Sequence, residues 1–487
     1  MAFALALHTR PMTTRDHAPK KSSRGRAVIC MGILWGLSLG QAEPARAQAL
    51  PPSLPRLTQD EPVPMRSDFQ VPQTLLGDWG GLRSWLDQYG VSFTLNQTSD
   101  YIGNTQGGIK QGFVYDGLLD LEVDVDLNKA IGWKGGKIHF TGYGIQGQDL
   151  STQYVGNLLT VTNVESEPAI GKVGEAWIEQ RLMDDRLSLR AGLLEADRYY
   201  MISPTANVFV NSTFGFPDAW EANMPGSGPG YPNASPGGLA RFSINDDWQI
   251  TASVMNGSPV GPNTNSMSYG MSFPVGDGAL SWLEVVYSPE FTWGDRTLPG
   301  YYKFGGWYNS ASVNNVTMSS DTGRNFNNPV NTTYKGQYAV YGLYDQTLFR
   351  EANSTTQGLN AFTRVTYNPQ TERNLITWYF DAGLAYVGLF DGRPNDIIGL
   401  GFGWAQFTPY LTNQVSAQNS GSNSPTPLPK PESMVELTYQ AAINPWLTMQ
   451  PFLQIIANPG GSAPMPNNPS QAIPNATIVG LRANVAF

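Results

Sequence analysis

Between Leu119 and Leu127 the chain reads "LDLEVDVDL", with Asp120, Glu122, Asp124 and Asp126 alternating with Leu or Val. On a helix, Asp120 and Asp124, like Glu122 and Asp126, would be like-charge neighbours four residues apart, and the apolar residues would scatter around the axis. A strand instead puts all four carboxylates on one face. At about 3.3 Å per residue the segment extends roughly 30 Å, which a tilt of about 40° brings near the ~25 Å apolar band of an outer-membrane barrel. Acids two residues apart lie about 7 Å from each other, so their repulsion is about 0.6 kcal/mol in water and above roughly ten in a dry interior. The acidic face must be wet. Bulk solvent beside a soluble half-buried sheet would serve, and so would the aqueous lumen of a barrel.

The ends of the chain bear on that choice. A basic stretch, "KKSSRGR" from Lys20 to Arg26, precedes an apolar run from Ala27 to Gly40, and "ARA" at 45–47 offers small residues for cleavage. Residues 1–47 are expected to be a secretory signal peptide, since the apolar run falls short of a membrane span. Cleavage would remove Cys30, the one cysteine, and with it any disulfide framework or thiol nucleophile. The remainder carries 23 Lys and Arg against 37 Asp and Glu, a net charge of −14. That balance argues against nucleic acid as a partner. No later stretch approaches 18 continuous apolar residues, so membrane residence requires a closed sheet. Residues 48–73, with six prolines, read as a Pro-rich periplasmic linker. Within 74–90, Asp78 reads as an N-cap, Trp79, Leu82, Trp85, Leu86 and Tyr89 as one helical face, and Gly90 as a stop. This predicts a short amphipathic helix before a strand at Val91–Leu95.

From there alternating segments recur, among them Lys137–Tyr143, Val173–Leu182, Leu187–Leu193, Trp248–Val254, Ala279–Tyr287, Tyr338–Tyr344, Leu359–Tyr367, Ile376–Phe390, Ile397–Phe407, Met434–Ala441 and Leu447–Ile456. Tight connections such as "DDR" at 184–186 alternate with long polar ones at 203–238, 312–334 and 412–431. Short turns on one rim and long loops on the other are a barrel pattern. The final segment, Ala476–Phe487, places Val479, Leu481, Ala483, Val485 and Phe487 on one parity and Gly480, Arg482 and Asn484 on the other. A terminal strand ending in an aromatic resembles the signal that barrel-assembly machinery reads, here through Phe487. Mean hydropathy, −0.27, decides nothing, because inward and outward residues cancel along each strand. The expected fold is all-β: a transmembrane antiparallel β-barrel over 91–487.

The chain also resembles the carbohydrate-selective porin (OprB) family. The resemblance runs through "LLGDWGGLRSWLDQYGV", "LNKAIGWKGGKIHFTGYGIQG", "GEAWIEQRLMDDRLSLRAGLLEAD", "VNSTFGFP", "YGLYDQTLFRE", the long segment opening "QGLNAFTRVTYNPQTERN", "PWLTMQPFLQIIANPGG" and "VGLRANVAF". It implies about sixteen strands, in line with the even strand counts of single-chain barrels. It further implies an outer-membrane location in a Gram-negative bacterium, contact with lipid, and passive diffusion of small, neutral, glucose-like sugars into the periplasm. A general diffusion porin is the alternative, and monomer and homotrimer both stay open.

A sugar presents apolar C–H patches fringed by hydroxyls, so aromatic surface flanked by ionised groups suits it. In "VGEAWIEQRL" the odd parity carries Glu175, Trp177, Glu179 and Arg181 and reads as the lumen face. Trp177 is expected to bear the sugar ring, to belong to an interfacial girdle or merely to fill space. Arg190 follows on the next strand, with Glu195, Asp197 and Arg198 where that strand ends, charges that either set a transverse field or are simply solvated. Arg364 reads as a wall residue or one half of an ion pair. In the 203–238 connection, long enough to fold inward, Phe214, Phe216, Trp220 and Tyr231 are sugar contacts or loop packing. Calcium wants oxygens converging from several directions, whereas Asp120, Glu122, Asp124 and Asp126 form a row. No metal or cofactor is expected, and the row should favour neutral over anionic sugars. A hydrolase would depend on His139, the one histidine left after the leader. A plugged adhesin barrel is the other rival.

Overall fold

The first strand has a hydrogen-bonded neighbour on each side. β1 (Val91–Gln106) pairs antiparallel with β2 (Gly112–Asp126) and with the last strand, Ala476–Ala486. A sheet whose first and last strands pair has no free edge, the condition for placing strands in a bilayer. The computed structural model describes residues 74–259, 276, 278–316, 332–352 and 354–487. The expected leader (1–47) and Pro-rich segment (48–73) lie outside the described residues, as do residues 317–331 of one long connection.

Sixteen antiparallel strands close the barrel. A short arm, Glu290–Trp293, folds back on Arg296–Pro299 and adds a hairpin at one rim. That rim also carries the chain's N-terminal helix and the tight turns 183–186, 244–247 and 445–446. The opposite rim carries the long connections 148–168, 195–234 and 408–431. β3 (Gly136–Gly147), β4 (Ala169–Leu182) and β5 (Leu187–Leu194) follow the expected segments closely. Two strands were not foreseen: Ser235–Ser243, whose start fell within the expected 203–238 loop, and Arg296–Asn314. Both are rich in Gly and open on or near Pro, which reads as a loop. At Gly237 the requirement is steric, since a Cβ there would sit 2.6 Å from the Val254 carbonyl oxygen.

The helix is shorter than expected. α1 spans Leu82–Asp87 with Gly81 as its N-cap, because Gly80 and Gly81 take φ of 67° and 97°, which no helix continues. Asp78 still braces it, accepting from the Ser84 amide and hydroxyl, each at 2.9 Å. Leu82, Trp85 and Tyr89 are exposed, while Arg83 is buried. Its guanidinium donates to the carbonyl oxygens of Phe93 (2.8 Å) and Phe487 (2.6 Å), fastening the helix across the seam where the barrel closes.

Alternation sorts the wall. In Arg296–Asn314, Lys303, Trp307 and Asn309 are buried inside, whereas Phe304 and Tyr308 are exposed outside. Outward aromatics gather near both rims. Trp248 stacks on Tyr287 (4.5 Å between centroids) and the row continues through Tyr302 and Tyr344; at the other rim Tyr101 stacks on Phe113 and Tyr367 on Trp378. Two aromatic girdles around an apolar band are the exterior that a bilayer requires.

The lumen is not polar throughout. Loops 148–168 and 195–234 fold inward with apolar side chains of their own, and Leu159, Phe209, Phe214 and Trp220 are buried against the wall. Glycines make room for them: a Cβ on Gly401 would lie 2.6 Å from Phe214 and 2.9 Å from Phe209.

Candidate functional site: a constriction inside the barrel

Strand polar residues that face inward mostly hold the inward loops by their backbones. Glu436 accepts from the amides of Val210 (2.8 Å) and Asn211 (2.9 Å), and Glu432 from those of Leu158 and Leu159. Asp345 accepts from the Thr205 amide at 2.9 Å, and Gln450 and Gln454 donate to the carbonyls of Val208 and Val161. The two loops also bond each other, Asn163 N to Val210 O and Ser212 N to Thr160 O, both at 3.0 Å. A buried amide or carbonyl without a partner costs about 1–3 kcal/mol, so these side chains make inward folding of a loop possible.

Where the loops meet β1, β2, β3 and the last strand, a cavity of about 380 Å³ remains. Its lining includes Thr98, Asp120, Tyr143, Asn163, Glu165, Glu195, Asp197, Arg198, Phe216, Glu221, Tyr231 and Arg482. Arg198 organises one side, its guanidinium donating to Glu122 (2.7 Å), Glu195 (3.0 Å) and the Tyr143 hydroxyl (3.0 Å). Tyr143 in turn donates to Glu195 at 2.7 Å. On the other side Arg482 grips Asp100 with two bonds of 2.8 and 2.7 Å and also reaches Thr162 and Asn163. Tyr231 presents its ring edge-on to Tyr143, 5.2 Å between centroids, and its amide donates to Asp197 at 2.9 Å. Burial, opposed by Arg198 and reinforced by Asp197, raises the Glu195 carboxyl to about 7; burial also raises Asp197.

The expected site residues separate into groups. Asp120 and Asp197 border the cavity, and Glu122 is joined to it through Arg198. Asp124 instead binds His139 (2.7 Å) and Lys137 (3.0 Å), and Asp126 caps α2 (Leu127–Ile131) at the rim by accepting from the amides of Asn128 and Lys129. The odd parity of β4 does point inward. Glu175 accepts from the Glu195 amide, the Trp177 indole and the Tyr199 hydroxyl, holding the start of loop 195–234. Glu179 joins Arg181 (2.9 Å) and Arg190 (3.0 Å) in a charged group on the wall. Trp177 stacks on His139 at 4.8 Å, receives the Arg190 guanidinium 4.0 Å above its ring, and is 5% exposed. Its ring is taken up by packing.

Arg364 is fully enclosed with Asp381, its Nε 3.0 Å from both carboxylate oxygens, and donates to the carbonyls of Gly215 and Thr213. Of its two readings it makes the ion pair, which also anchors the loop. Among the loop aromatics, Phe214 and Trp220 are buried in packing, while Phe216 and Tyr231 border the cavity. Arg198 and Glu195, read as charges where a strand ends, lie at the cavity, whereas Tyr143 and Arg482 were not singled out as site residues. Arg482 alone had a visible signal, as the single charge in the terminal strand.

Comparison with known proteins agrees with this architecture. The family described as "Carbohydrate-selective porin, OprB family" matches residues 110–487. The chain is 26% identical to Porin B of Pseudomonas aeruginosa over 96% of its own length and 99% of that protein. It is 23% identical to a putative porin, QuiX, of Acinetobacter baylyi, over 87% of the chain and 95% of that protein. In fold it resembles the high-pH structure of Pseudomonas putida OprB, with a TM-score of 0.72 and 23% identity over 85% of this chain and 98% of that one. The chain belongs to the carbohydrate-selective porin, OprB family.

Proposed function

We propose that this protein is a sugar porin of a Gram-negative outer membrane, admitting small glucose-like solutes to the periplasm by passive diffusion. The observation that carries the reading is the cavity at the constriction, where Tyr231 and Phe216 adjoin hydrogen-bonding groups of Arg198, Asp197 and Asp120. Aromatic surface beside charged hydrogen-bonding groups suits the two faces of a sugar, and an open, many-sided contact lets solute leave as readily as it enters. The two aromatic girdles support membrane residence with lipid as the outer partner. The terminal strand ending in Phe487 is offered as the assembly machinery's contact.

His139 supports the channel reading over a hydrolase. Nδ1 is engaged by Asp124 and Nε2 by Thr141, at 2.7 and 2.9 Å, but Thr141 is fully buried, so this trio presents no accessible nucleophile. The test is single-channel current in planar bilayers. Glucose should reduce it in a saturable, concentration-dependent way; a silent protein would favour a plugged scaffold, and no effect of sugar would favour a general diffusion porin.

A further inference from the structure

The charge of the constriction narrows the solute class, an inference that rests on the sugar-porin reading. Both guanidiniums bordering the cavity are already engaged: Arg198 by Glu122 and Glu195, Arg482 by Asp100. Three buried carboxylate oxygens there have no hydrogen-bond partner, namely Asp120 Oδ1, Glu195 Oε1 and Asp197 Oδ1. Glu195 is 0% exposed and its other oxygen is already held by Tyr143 and Arg198, so it stays behind the cavity wall and leaves Asp120 and Asp197 to face a solute. A carboxylate oxygen at the cavity wall without a donor is costly, and what relieves it best is a donor that brings positive charge.

We propose that the cavity binds an amino sugar, a monosaccharide carrying an ammonium group, in preference to neutral sugars, with Asp120 and Asp197 receiving the ammonium. Neutral hydroxyls satisfy the same acceptors as hydrogen-bond donors but leave the excess negative charge uncompensated. An acidic sugar adds to it. The volume of about 380 Å³ lies toward the small end of ligand pockets, which suits a single ring. The Tyr231 and Phe216 side chains supply apolar surface for that ring.

The test is sugar block of single-channel current by the full chain at pH 7, comparing glucosamine, N-acetylglucosamine, glucose and gluconate. Glucosamine should block at a concentration lower than glucose by on the order of tenfold. N-acetylglucosamine, which keeps the ring and loses the charge, should fall with glucose, and gluconate should block least. In Asp120→Asn and Asp197→Asn channels the ratio between glucosamine and glucose should fall toward one. Glucose block with no preference for glucosamine in the unmodified protein overturns this inference and leaves the sugar-porin reading standing. Loss of block by every sugar overturns that reading itself. A glucosamine preference that persists in both variants also overturns the assignment to these carboxylates.

Discussion

Arg364 and Asp381 lie opposite each other on adjacent strands, with Arg364 Nε 3.0 Å from both oxygens of the carboxylate and neither side chain reached by solvent. The same guanidinium holds the carbonyls of Gly215 and Thr213, so the pair ties the wall to loop 195–234. Replacing Arg364 by Ala leaves a buried charge and two buried carbonyls unpaired, a cost of about 3–5 kcal/mol. The variant should lose its folded, heat-modifiable form on gels at a lower temperature and show a larger or noisier single-channel conductance. An unaltered conductance with the loop still protected from protease would refute the anchoring role.

Gly401 makes a steric prediction at the same loop. A Cβ there meets Phe214 at 2.6 Å, too close to be absorbed without moving the ring. Gly401→Val should therefore displace Phe209 and Phe214 and weaken the constriction, at about 1–3 kcal/mol of stability. Conductance measured beside thermal unfolding separates a loop that has moved from a barrel that has failed to form.

The Arg83 bond to the last residue's carbonyl tests the seam. Hydrogen bonds from a charged donor contribute about 1.5–3 kcal/mol, so Arg83→Ala should lower barrel stability by that order while leaving channel current intact. Denaturant titration in detergent gives the value, and a change below about 0.5 kcal/mol would show that the clasp contributes little.

Glu195 is expected to make the constriction pH-sensitive. Its carboxyl is raised from the usual 4.5 to about 7, chiefly by burial. The folded chain thus holds a proton there that the unfolded chain releases, and this group's contribution to stability declines as pH rises from about 4.5 through 7. Over the upper part of that window the cavity gains negative charge, so cation selectivity should rise between pH 6 and 8. Reversal potentials in a KCl gradient measure this, and Glu195→Gln should flatten the curve. A flat profile in the unmodified protein would contradict the shift.

Much of the barrel is written in the sequence because period-two alternation survives wherever one face meets lipid and the other water. Asp120, Glu122 and Asp124 and the odd parity of β4 turn inward for that reason, while Asp126 ends the row as a helix cap at the rim. Ser235–Ser243 escaped notice because its Pro and Gly hide the alternation. The division of labour among inward residues was less legible. A carboxylate facing solute and one facing a loop amide are the same letter, so nothing local marks Glu436 and Glu432 as loop anchors or Trp177 as packing. Arg198 and Tyr143 become neighbours only when loop 195–234 folds back over β3, a relation between distant segments that periodicity does not carry.

The central claim is a wet, selective path through a closed barrel, and permeation into liposomes reconstituted with the protein tests it most directly. Glucose should enter faster than amino acids of similar size, and gluconate should enter slowest. Equal rates for all three solutes, or liposomes as tight as those without protein, would contradict the account.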